Sequence, residues 1–123
     1  GSAVDVGQSE ELEYFSVPGL SGNGLVAFPI DGNSMEPVIL VTDIVICREI
    51  SNFNEIRDND IYAIKHDGSL WVKYVKKIKD GQGRIIKLNL ISANYLEHDP
   101  FEVDVNPYTK LYKVNSRINQ IQR

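Results

Sequence analysis

The sequence predicts a single, mainly β domain of twisted antiparallel sheets with little helix. Short runs rich in Val, Ile, Tyr and Phe recur along the chain, separated by Gly, Asp, Asn and Pro. Two separators, His66-Asp67-Gly68-Ser69 and Asp80-Gly81-Gln82-Gly83, read as turns, the first with the Asp-Gly pair favoured in hairpins. No window of about 11 residues shows a convincing helical period.

In chain order, residues 1–11 are small and acidic and read as a flexible linker remnant, with the domain proper spanning 12–123. Residues 12–17 suit a short extended piece, closed by Pro18-Gly19, and 20–24 form a loop. A strand is expected over 25–30, broken by Asp31-Gly32-Asn33. Ser34-Met35-Glu36-Pro37 has room for one helical turn. Residues 43–50 are strongly β-branched and read as a strand, and 51–60 as a polar loop. A meander follows, with strands at 61–65, 70–79 and 84–92. After a polar loop at 92–100 come short strands at 101–105 and 110–114, then a polar tail from 115 to 123.

The 123 residues suffice to bury a core without crosslinks. The one cysteine, Cys47, excludes an internal disulfide and lies in an apolar strand as a small buried hydrophobe. No signal peptide or apolar run of roughly 20 residues is visible, so a reducing, cytoplasmic setting is expected. Gly1-Ser2 reads as a cloning remnant, so more chain is expected upstream. Net charge is −4, which argues against a surface that grips nucleic acid directly. The charge is uneven: residues 1–60 carry 11 acids and 2 bases, residues 61–123 carry 6 acids and 11 bases. Solvated strand faces explain this as simply as a polarised docking surface does. No metal-ligand cluster or phosphate-binding glycine loop is present, and no cofactor is expected.

Two residues carry chemical interest. Side chains alternate across a strand, so Leu70, Val72 and Tyr74 share one face of 70–75 and Trp71, Lys73 and Val75 the other. Both faces are apolar except for Lys73. A desolvated lysine loses preference for its charged form and can accept a proton. The alternative is a lysine that runs past Trp71 to water. Ser34 follows Gly32-Asn33 at a strand-ending break, where a hydroxyl can project and backbone N–H groups can face a developing oxyanion. Alternatively it is a turn serine capping a short helix. His66, at a hairpin tip, and His98, in a polar loop, are not expected to be buried, oriented imidazoles, which leaves a Ser-Lys pair as the route to an activated serine.

Gly32-Asn33-Ser34-Met35-Glu36-Pro37, Asp43–Glu49 (DIVICRE) and Asp67–Val75 (DGSLWVKYV) together resemble the LexA-type self-cleaving repressors, a family that includes phage repressors and UmuD-like polymerase subunits. Ser92-Ala93-Asn94 and Asp99-Pro100-Phe101-Glu102-Val103 resemble the stretch that follows in phage-type members. The resemblance runs from about Tyr14 to Ile118. It implies a LexA/signal peptidase-like β-rich fold, Ser34 as nucleophile and Lys73 as general base. In such a mechanism backbone N–H groups at Ser34 and a neighbour hold the oxyanion, and Met35 reads equally as site wall or as an ordinary core methionine. The resemblance further implies a homodimer formed through this domain, a helix-turn-helix domain upstream that alone contacts DNA, no membrane partner, and cleavage stimulated by a RecA filament in the DNA-damage response.

The chain departs from the family pattern at Asn33, where an acid is common, at Thr42-Asp43, where Gly-Asp is usual, and at Tyr74, where Arg is frequent. It also lacks the Ala-Gly or Cys-Gly bond that members cleave. That bond is expected upstream; within the chain, Ser21-Gly22 is a better substitute than Val6-Gly7. A silent dimerisation and sensor module, a polymerase accessory subunit and a signal-peptidase relative are the alternatives.

Overall fold

The computed structural model describes residues 24–119. The expectations for the linker remnant at 1–11, the extended piece at 12–17 and the end of the tail lie outside these residues. The described chain forms one seven-stranded sheet: β1 (Leu25–Pro29), β2 (Ile44–Glu49), β3 (Asp60–His66), β4 (Ser69–Lys79), β5 (Ile85–Ile91), β6 (Phe101–Asp104) and β7 (Lys110–Ile118). The spatial order is β1-β2-β7-β3-β4-β5-β6, and every neighbouring pair is antiparallel. The mainly β reading holds. Among the described residues the only helix is a 3-10 turn, Phe53–Glu55, capped by Asn52 inside the loop expected at 51–60.

The β3–β4 hairpin closes through Asp67 and Gly68, with φ of 51° and 81°. Positive φ at both central residues matches the right-handed twist of the flanking strands, which is why Asp-Gly occurs there. Strand β7 runs further than the sequence indicates. Residues 115–118, read as polar tail, belong to the strand, and 116–118 pair with β2 as far as Ile44↔Ile118. Ladder bonds come from the backbone, so polar side chains do not forbid a strand whose neighbour lacks a partner on that edge. A register irregularity opposite Ile46/Cys47 takes up Asn115 as an extra residue.

Both faces of the central strands are covered. On one face Phe28, Val45, Cys47, Ala63, Leu70, Val72 and Tyr112 pack with Met35 and Ile39 from the segment joining β1 to β2. On the other, Tyr62, Ile64, Trp71, Val75, Leu88, Leu90, Val103 and Leu111 pack with Ile56. A strand between two cores must be apolar on both sides, which explains the pattern of β4. No helix among the described residues is long and apolar enough to cross a membrane.

Candidate active site

Ser34 sits on the excursion from β1 to β2, closed at its base by Ile30 N–H to Asp43 O (2.9 Å) and Thr42 N–H to Ile30 O (3.1 Å). Inside it the chain makes a tight turn. Glu36 N–H donates to Asn33 O, and Val38 and Ile39 N–H both donate to Met35 O. Met35 and Ile39 are buried in the first core and pin the turn to the sheet. Asp43, fully buried, accepts from Leu40 N–H (2.9 Å) and from Arg117 (3.2 Å), which fixes the return limb. The Ser34 and Met35 N–H groups donate to no other group among the described residues.

A second loop, after β5, clamps this turn. Asn94 N–H donates to Ser34 O (2.9 Å) and Asn94 Nδ2 to Asn33 O (3.1 Å). The Asn33 side chain meets His98 Nε2 (2.7 Å) and donates to Glu97 (3.2 Å). Ala93 N–H approaches Met35 Sδ at 3.4 Å. The serine therefore rests on contacts from two segments some 60 residues apart in sequence, each satisfied locally.

Lys73 is 1% exposed. Its Nζ donates to the buried Ser92 Oγ at 2.7 Å and lies 6.0 Å from the centre of the Phe101 ring. A lysine that snorkels to water is thus not what folds here. The topology brings it to the serine. Strand β5 pairs with β4 only from Tyr74↔Ile91 onward, so β4 from Ser69 to Lys73 has no strand on that side among the described residues. At this open edge side chains from both faces of β4 meet. A small recess, about 10 Å³, is lined by Ile30, Gly32, Ser34, Met35, Trp71, Val72 and Lys73. Ser34 and Met35, far in sequence from Lys73, thus line one pocket with it.

Other residues hold the site that residue-type reasoning passed over. Ser92 and Asn94 belong to a stretch singled out only as a resemblance, where two small polar residues directly after an apolar strand were the available signal, and residue-type reasoning weighs His98 only as a triad base. The two imidazoles need correction. His66 is mostly enclosed, meeting Thr109 Oγ1 at 2.9 Å and Asp67 at 3.2 Å, because the hairpin tip folds onto the loop before β7. His98 is oriented too, on Asn33 and not on Ser34. Cys47 is buried as expected, and burial pushes its thiol up to about 12. Of the departures from the family pattern, Asn33 uses both halves of its amide, Thr42 takes a φ of 74° where glycine is at ease, and Tyr74 packs against the first core.

Residues 4–108 match the family described as Peptidase S24-like. Over 71 residues the chain is 32% identical to the HTH-type transcriptional regulator PrtR of Pseudomonas aeruginosa, a match covering 58% of this chain and 27% of that relative. With the match taking in the Ser34 turn, the Lys73 strand and the clamping loop together, the chain belongs to the Peptidase S24-like family.

Proposed function

We propose that this is the self-cleaving serine-lysine peptidase domain of a repressor-type transcriptional regulator, with Ser34 as nucleophile and Lys73 as general base. The observation that carries it is a fully enclosed lysine lining the same recess as a serine held on a clamped turn. Enclosure disfavours the ammonium form, so a neutral amine is available to take the Ser34 proton. The family match supports the peptidase class, and the similarity to a helix-turn-helix regulator supports the repressor context.

In this reading the linker lies as an added strand along the open edge of β4, Ser69 to Lys73. Ser34 Oγ attacks the scissile carbonyl while Lys73 takes its proton. The Ser34 and Met35 N–H groups hold the oxyanion. Protonated Lys73 then donates to the leaving amine, and water releases the acyl group from Ser34. Ser92 keeps the amine in place between these steps. A recess with room for about one water leaves space for only a small side chain beside Ser34, in keeping with a scissile bond between small residues, upstream of the chain or at Ser21-Gly22. Tethering supplies the effective concentration that a deep specificity pocket would otherwise provide. Dimerisation through this domain, an upstream DNA-binding domain and stimulation by a RecA filament belong to the same reading.

The test is incubation of the full-length native chain beside Ser34→Ala and Lys73→Ala, with fragment masses measured. Cleavage in the native chain alone supports the reading, and the masses locate the bond. A native chain that stays whole, even with an activated RecA filament, leaves a dimerisation and sensor module instead.

A further inference from the structure

Trp71 has a feature that neither the fold nor the dyad uses. It is the one tryptophan of the chain and is 8% exposed. Its ring is fixed, 5.1 Å from Phe101 in an edge-on contact and 6.4 Å from His66. Yet its indole N–H is buried without an acceptor. Buried donors are normally paired, and tryptophan is normally placed where its N–H finds a partner. Packing alone does not require this donor, since a hydrocarbon ring system would leave none unpaired.

Its position suggests where the acceptor comes from. Trp71 lies two residues before Lys73 on the same face of β4, paired with β3 but within the segment that has no strand on its other side among the described residues, and it lines the Ser34 recess. A peptide added along this edge brings carbonyl oxygens past it. We propose that Trp71 is a specificity-determining residue whose indole N–H donates to a carbonyl oxygen of the linker as it docks beside Ser34. The proposal rests on the peptidase reading above. Docking then satisfies a donor that the free chain leaves unpaired, so the linker is recognised through its extended backbone while the small recess limits its side chain. Trp71 moves no proton, so its contribution does not vary with pH.

The full-length chain, with its native upstream linker, provides the test. An isostere that keeps the bicyclic ring and replaces the N–H with sulfur, 3-benzothienylalanine, is placed at position 71. Self-cleavage is expected to slow about tenfold at every pH, with the pH midpoint unmoved. In the uncut Ser34→Ala chain, the indole N–H is expected to exchange with water more slowly than in the native chain after it has cut. Native and isostere chains cutting equally fast, or an indole signal indifferent to the linker, would overturn the assignment of Trp71 and leave the dyad standing. A native chain that does not cut at all removes the peptidase reading, and this one with it.

Discussion

Lys73 Nζ donates to Ser92 Oγ at 2.7 Å, and both side chains are buried. Ser92 is thus one group that holds the amine in place. Ser92→Ala is expected to slow self-cleavage about ten- to a hundredfold, because a base out of line with its proton loses most of its value. Ser92→Thr keeps the hydroxyl and should recover part of the rate. Rates measured on the three chains check this; an unaffected Ser92→Ala rate would mean that Ser92 does not position the amine.

Asn94 holds the nucleophile turn through backbone and side chain together. Asn94→Ala removes the bond to Asn33 O while the backbone bond to Ser34 O survives. We expect about a tenfold loss of cleavage for a stability cost of about 1 kcal/mol. Urea denaturation beside the rate assay separates the two. A loss of stability without a loss of rate would make the clamp purely architectural.

Thr42 is exposed and holds a φ of 74°, a conformation costly for a β-branched residue. Thr42→Gly keeps the N–H bond to Ile30 O and removes the strain. After the entropy that glycine adds to the unfolded chain, a gain of about 0.5 to 1 kcal/mol is expected. A higher urea midpoint confirms it, and a lower one refutes it.

Cys47 makes the fold sensitive to alkali. Its thiol moves from 9.0 to about 12 because burial penalises the thiolate. Between those values the unfolded chain has released a proton that the folded chain keeps. The stability this group contributes is therefore intact below 9.0 and falls as pH rises towards about 12, by up to ~1.4 kcal/mol per pH unit. Cys47→Ala should flatten that slope while lowering stability at neutral pH by the cavity it leaves. Urea midpoints at several alkaline pH values measure both effects. A slope unchanged in Cys47→Ala would assign the alkaline loss to other groups.

Much of the sheet was legible because strand chemistry is local. Asp67-Gly68 dictated a hairpin, and the doubly apolar β4 dictated a strand between two cores with one conspicuous lysine. The end of β7 was not legible, since Ser116 and Arg117 pair through their backbones beyond a bulge at Asn115 and carry no apolar pattern. The site divides the same way. Lys73 stood out by contrast with Trp71 and Val75, whereas Ser34 looked like any turn serine until its neighbours were known. Ser92, Asn94 and His98 act through contacts made across the fold, which no local pattern encodes. The orphan N–H of Trp71 is likewise a property of packing.

The central claim is that Lys73 activates Ser34, and the kinetics of a serine-directed phosphorylating reagent test it without requiring the linker bond to be known. Diisopropyl fluorophosphate is allowed to react with native, Lys73→Met and Ser34→Ala chains over about pH 6 to about pH 9, below the alkaline destabilisation attributed to Cys47, and the labelled peptide is identified by mass. The account predicts labelling of Ser34 in the native chain, faster as pH rises, and essentially none in either variant. Equal labelling of the native and Lys73→Met chains, or a rate flat across that range, would contradict it.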